Sequence, residues 1–315
     1  MCQVKEFFYP SSDGVSKIRA REWRPEGTPT AVVQIAHGVD EHLERYDDFA
    51  RFLARSGFLV VANDHLGHGR TAKASEDRGF FAQKNGWLHV VEDMEILRGK
   101  TAEENPNQPY FLLGHSMGSF LARTYLIRYP GRLTGAVLSG TGQQKPALVS
   151  FGIGLTSLIG TCRGRRYRSA LVQRIAFGSN NRRFEPNRTP SDWLTRDTAI
   201  VDGHLKDELC GFVPSVGLYH DMMEGIRFDS SMHNLRNMDK MMPVLFFSGA
   251  LDPVGEETVG LMRAVEGFRS VGCRDVTVKV YPEGRHEMLN EINRMDVYAD
   301  VLAWIRSKIP AKAAH

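Results

Sequence analysis

Between Pro109 and Phe120 the chain reads Tyr110-Phe111-Leu112-Leu113, then Gly114-His115-Ser116-Met117-Gly118, and passes at once into residues with helical spacing. A serine with a glycine two residues to either side, set between an apolar strand and a helix, fits a sharp strand-to-helix elbow. The serine takes backbone angles that side chains disfavour, and the bare glycines let the two elements approach each other. That geometry pushes the hydroxyl outward. In a chain with 30 glycines the pentapeptide alone proves little, so its context is the test.

The surrounding pattern supplies that context. Val4 to Phe8 and Lys17 to Trp23 are β-prone runs separated by Pro10-Ser11-Ser12-Asp13-Gly14, which predicts a hairpin at a sheet edge. Apolar strands are predicted at Ala31–Ala36, Phe58–Ala62, Tyr110–Leu113, Gly135–Ser139, Pro243–Gly249 and Val276–Tyr281. Helical periodicity occupies Tyr46–Ser56, Trp87–Lys100, Ser116–Tyr129, Gly255–Phe268 and Glu291–Lys308. Strands that are apolar throughout and alternate with helices imply a mostly parallel sheet covered on both faces, an α/β fold. After Gly140 this rhythm stops for roughly a hundred residues, far longer than an ordinary connection. The expected organisation is a core from 1–142 and 239–315 with an inserted, mainly helical cap subdomain at 143–238.

Composition narrows the function classes. The chain is 42% apolar and 24% charged, with no apolar run of the ~18 residues that a membrane span needs. Its start lacks the basic and apolar blocks of a secretion signal, so a cytoplasmic location is expected. A net charge of only +3 argues against a general nucleic-acid binder. Cys2, Cys162, Cys210 and Cys273 are scattered without the paired spacing of zinc sites and read as reduced thiols, with no metal expected.

In open parallel sheets, active groups gather in the loops at the carboxyl ends of strands. Three residues meet that rule in chain order: Ser116, then Asp252 just beyond Gly249, then His286 shortly after Tyr281. A serine hydroxyl needs a base to become a nucleophile. Imidazole titrates near neutrality, and a carboxylate fixes its tautomer and stabilises its charged form. Asp275, Glu283 and Glu287 compete with Asp252 for that last role, and a turn aspartate before Pro253 is the plainer reading of it. Attack on an acyl carbonyl also creates an oxyanion, which backbone N–H groups stabilise by several kcal/mol. Met117, at the start of the helix, and Val39, in the loop after the Ala31–Ala36 strand, are the expected donors.

His37-Gly38-Val39-Asp40-Glu41-His42 with Arg45-Tyr46, Asp64-His65-Leu66-Gly67-His68-Gly69, and Gly114-His115-Ser116-Met117-Gly118 together resemble the monoacylglycerol lipase and lysophospholipase group of α/β-hydrolases, which also takes in serine aminopeptidases. The family loop usually reads His-Gly-x-Gly-Glu-His, and here Asp40 stands where its second glycine would be. The resemblance implies an α/β-hydrolase fold, a cap over an acyl-binding pocket, and a monoacylglycerol or lysophospholipid as substrate. His37 and His115 are expected beside the site as structural or substrate-positioning groups. The apolar stretch holding Phe151 and Leu155, and a second group including Leu205, Phe212 and Val213, are candidates for the acyl pocket, with plain packing as the alternative for each.

Arg163, Arg165, Arg166, Arg168, Arg174, Arg182 and Arg183 fall between Thr161 and Arg183 with no acid among them. A solvated face is the ordinary reading. Docking on anionic lipid is the sharper one. Arg285 and Glu287 read as a solvated pair flanking His286. The residues themselves point to a serine hydrolase acting through an acyl-enzyme and needing no cofactor, and the resemblance implies carboxylic esters with an apolar acyl chain as its substrates. The alternatives are an amidase or aminopeptidase of the same fold and a non-catalytic small-molecule receptor.

Overall fold

A computed structural model describes residues 2–310 of the chain. The chain opens with an antiparallel hairpin of β1 (Gln3–Pro10) and β2 (Lys17–Arg24). It continues through β3 (Val32–Ala36), α1 (Asp47–Arg55), β4 (Leu59–Asn63), α2 (Gly86–Glu104), β5 (Tyr110–His115), α3 (Met117–Arg128) and β6 (Gly135–Ser139). Five helices follow: α4 (Pro146–Arg163), α5 (Ala170–Phe177), α6 (Thr198–Lys206), α7 (Val216–Asp229) and the short α8 (Met232–Leu235). The chain then returns to β7 (Val244–Gly249), α9 (Val259–Ser270), β8 (Val276–Tyr281) and α10 (Arg294–Lys308).

The strands form one 8-stranded sheet in the order β1-β2-β4-β3-β5-β6-β7-β8. Pairing is antiparallel from β1 to β2 and β2 to β4, and parallel from β4 onward to β8. Every residue of β3 to β7 is buried, as a sheet with helices on both faces requires. Alternation sends Phe111 and Leu113 into one core with Phe49, Leu53, Val301 and Ile305 from α1 and α10. Tyr110 and Leu112 enter the other, with Val90, Leu97, Leu121 and Leu261 from α2, α3 and α9. This is the α/β-hydrolase architecture.

Two features of the sheet position the site. The register sets Ala36 beside Gly114, His115 beside Ser139, and Gly249 beside Tyr281, so the loops that follow open on one edge. The helices between β6 and β7 are also locally well specified. Proline starts α4, and the side chains of Ser169, Asp197 and Ser215 accept backbone N–H bonds at the N-termini of α5, α6 and α7. α4 packs on α7, and α7 packs on α3. The insertion therefore rests on the helix that follows the Ser116 turn. Among the described residues no helix is long and apolar enough to cross a membrane.

Candidate active site

Ser116 sits between β5 and α3 at φ 53° and ψ −122°, a conformation that non-glycine residues seldom adopt. Its N–H donates to Ser139 O at 2.9 Å, which ties the turn to the neighbouring strand. The flanking glycines are required by contact. A Cβ on Gly114 would lie 2.3 Å from Gly118 O, and one on Gly118 would lie 2.0 Å from Ala36 O.

His286 Nδ1 lies 2.9 Å from Asp252 Oδ1, and both side chains are buried. Asp252 also accepts from Val254 N at 2.9 Å and from Ser248 Oγ at 3.0 Å, so its carboxylate is held from several directions. Burial penalises a charged His286 ring, but the Asp252 carboxylate, with Glu287 and Glu41 adding to it, outweighs that penalty and the imidazole pKa is raised. For Asp252 the burial penalty is likewise overcome by His286, and its pKa is lowered. The three competing acids are engaged elsewhere: Asp275 with Lys308, Glu283 with Arg196, and Glu287 with Arg45.

The rings of Trp193 and His115 flank His286, with centroids 4.9 and 4.7 Å away. Burial and the nearby His286 push His115 down to about 4, so it is neutral near pH 7. Its Nδ1 lies 3.2 Å from Ser139 Oγ. His37 is fully enclosed, with Nδ1 against Gly38 O at 2.7 Å and Nε2 accepting from His65 N at 3.0 Å. Neither histidine is on the wall of the cavity that Ser116 faces. Both are pinned within the scaffold.

The loop after β3 lies against the elbow: a Cβ built on Gly38 would be 3.2 Å from Ser116 Cβ. Asp40, where the usual loop has glycine, takes φ 53° and so keeps the backbone that glycine would give. Glu41 shapes the loop from beneath, accepting from Gly38 N at 2.5 Å and Tyr46 OH at 2.7 Å. Arg45 bonds Glu41 at 2.9 Å and grips Glu287 through both nitrogens at 2.5 and 2.7 Å. The Glu41 and Glu287 side chains are only 4% and 5% exposed. Glu287 is thus no solvated partner of Arg285; it is half of a buried ion pair that joins the Val39 loop to the His286 loop. Arg285 turns the other way, over the ring of Phe184 at 4.2 Å and to Thr195 O at 3.3 Å.

Ser116, Met117 and Val39 all border a cavity of about 320 Å³ between the sheet edge and the inserted helices. Its wall is largely apolar, with Phe151 and Leu155 from α4, Val172 and Phe177 from α5, and Met222 and Ile226 from α7. Leu205 instead is 45% exposed on α6, and Phe212 lies against the His68 ring at 5.4 Å. Neither they nor Val213 line the cavity. The α5 contribution is not legible in the sequence, because Leu171 to Phe177 lies within the arginine-rich stretch and is too short to show a clear apolar face. Trp193 carried no local signal.

The arginine stretch is largely committed. Arg165 pairs with Asp221 at 2.5 Å, Arg166 with Asp77 at 3.1 Å, and Arg183 with Glu257; Arg168 bonds Ser75 O at 2.8 Å. Among the described residues, Arg163, Arg168, Arg174 and Arg182 carry no ion pair, and Arg163 lies over the Tyr167 ring at 5.5 Å.

A family model described as serine aminopeptidase, S33, matches residues 27–293. The chain belongs to this family. A relative, the monoacylglycerol lipase of Mycolicibacterium smegmatis, is 30% identical over 91% of this chain and 92% of its own. The monoglyceride lipase of Mus musculus is 27% identical over 93% of this chain and 88% of its own. Among solved structures, a thermostable carboxyl esterase from Bacillus coagulans, crystallised with glycerol, superposes with a TM-score of 0.91 at 28% identity. That match covers 98% of this chain and all of the esterase.

Proposed function

We propose that this S33 protein hydrolyses monoacylglycerols and related single-chain glycerol esters. Ser116 Oγ attacks the ester carbonyl while His286 takes the hydroxyl proton, and Asp252 holds the imidazole and its developing charge. The N–H groups of Val39 and Met117 receive the oxyanion. His286 then gives its proton to the departing alcohol, and water repeats the sequence to release the fatty acid. The observation that carries the reading is the position of a serine at φ 53° on the border of a largely apolar cavity. The names of the relatives support an ester substrate.

Residues 143–238 act as a cap, with α4, α5 and α7 forming the acyl wall. Leu158 and Leu171 are exposed on these helices and do not border the cavity, and with Arg174 and Arg182 they would rest on the lipid surface from which substrate arrives. The four free cysteines fit a reducing compartment such as the cytoplasm. An aminopeptidase is not favoured, because Glu256 is the only carboxylate among the described residues bordering the cavity and it is bonded to Arg263. Initial rates across monoacylglycerols, lysophospholipids, short p-nitrophenyl esters and aminoacyl amides test this. Monoacylglycerols should lead the panel; faster cleavage of the amides would overturn the proposal.

A further inference from the structure

Outside the proposed catalytic groups, the structure gathers three metal-ligating side chains at the seam between the Val39 loop and the inserted helices. His42 closes that loop, and Asp207 and Cys210 lie in the turn after α6. One nitrogen, one carboxylate oxygen and one sulfur from these residues lie within 4.8 Å of one another. His42 Nε2 is 2.8 Å from Asp207 Oδ2, and His42 Nδ1 is buried with no partner. Asp207 is preset: its Oδ1 accepts from Leu209 N at 2.9 Å, and its carbonyl accepts from Cys210 N at 3.0 Å. The turn already touches the loop through Gly211 N to Asp40 O at 3.1 Å.

We propose that His42, Asp207 and Cys210 bind one thiophilic divalent cation, with Zn²⁺ as the reference ion, and that the bound ion staples the inserted segment to the Val39 loop. The nitrogen, oxygen and sulfur set matches zinc chemistry. Zinc ligands at roughly 2.0–2.3 Å stand some 3.3–3.8 Å apart, so the His42–Asp207 pair at 2.8 Å must open by roughly 0.5 Å while the widest separation in the set closes by up to about 1 Å. Local charge favours a cation, since Glu41, Glu287 and Asp207 surround the single guanidinium of Arg45. A recess of about 270 Å³ bordered by Arg45, His204 and Asp207 adjoins the cluster on the Asp207 side. On binding, the Cys210 thiol gives its proton to solvent and the His42 proton moves from Nε2 to Nδ1, which leaves Nε2 and the thiolate as ligands. Sequence spacing hid the set, because His42 and Asp207 are 165 residues apart.

The test uses the full chain with Cys2→Ser and Cys162→Ser, which removes the accessible thiols outside the cluster and leaves only the buried Cys273 there. Zn²⁺ is titrated against a chromophoric chelator, and the melting temperature is read with and without the ion. One Zn²⁺ should bind per chain and raise the melting temperature. Asp207→Asn and Cys210→Ser should each weaken binding at least about tenfold, the low end of what even outer-sphere partners cost, and should abolish the thermal shift. Asp207→Asn keeps the test decisive if Cys210→Ser misfolds, since its side chain is 34% exposed and the amide is isosteric. Absence of binding, or parental affinity in either folded variant, overturns the site and leaves His42–Asp207 as an ordinary hydrogen bond.

Discussion

His286 is buried, and its pairing with Asp252, helped by the charges of Glu287 and Glu41, keeps its pKa above the usual imidazole value of 6.5. As a general base the ring must be neutral, so kcat/KM is expected to fall as pH drops through that raised value, with the acid limb centred above pH 6.5. Asp252→Asn removes the largest of the charges that lift the pKa against burial, so the acid limb should move to lower pH. The same change should cut kcat by about 10⁴-fold, the loss expected when the imidazole is held in the wrong tautomer. A pH–rate profile of both proteins checks each effect. Ser116, Asp252 and His286 were legible in the sequence because each follows an apolar strand, and strand ends in a parallel sheet share one edge. Trp193 was not legible: its ring meets His286 only because the inserted segment folds back, with His286 N reaching Trp193 O at 3.4 Å.

At the level of elements, the site is held by pairing between loops distant in sequence. Arg45 reaches Glu287 across 242 residues, and local reading of the Arg285-His286-Glu287 triplet had no means of finding it. Burial and the Arg45 charge act oppositely on Glu287; the charge prevails and holds the carboxyl far below its usual range. Arg45→Met would leave Glu41 and Glu287 buried without a cation. Removing one partner of such a group costs about 3–5 kcal/mol, and urea unfolding should show that loss as a lower midpoint at constant m. Most helices and strands were legible from periodicity, and the boundaries that moved have local causes. Gly255 to Thr258 has helical spacing in sequence, yet Glu256, Glu257 and Thr258 take φ of 47°, 51° and 82°, so α9 begins only at Val259. Before α10, a 3₁₀ turn at Met288–Asn290 delays the helix to Arg294.

For the whole molecule, the cavity beside Ser116 belongs to neither the sheet nor the insertion alone. An apolar residue on a helix is known from sequence to avoid water, but whether it meets another helix or a cavity depends on how the insertion lies on α3. Leu155 and Phe151 border the cavity, while Leu205 lies at the surface. Leu155→Trp should therefore narrow the acyl wall and lower kcat/KM for long-chain esters by about tenfold or more relative to an acetate ester, the scale of discrimination that hydrophobic pockets reach. Rates on the two esters, with thermal melting to confirm folding, check this. The central claim is that all of this scaffold serves an acyl transfer at Ser116, and intact-protein mass spectrometry after treatment with a fluorophosphonate tests it most directly. The expected result is a single adduct that maps to Ser116, is absent from Ser116→Ala and forms far more slowly on His286→Ala; no adduct on the native protein, or equal labelling of Ser116→Ala, would contradict it.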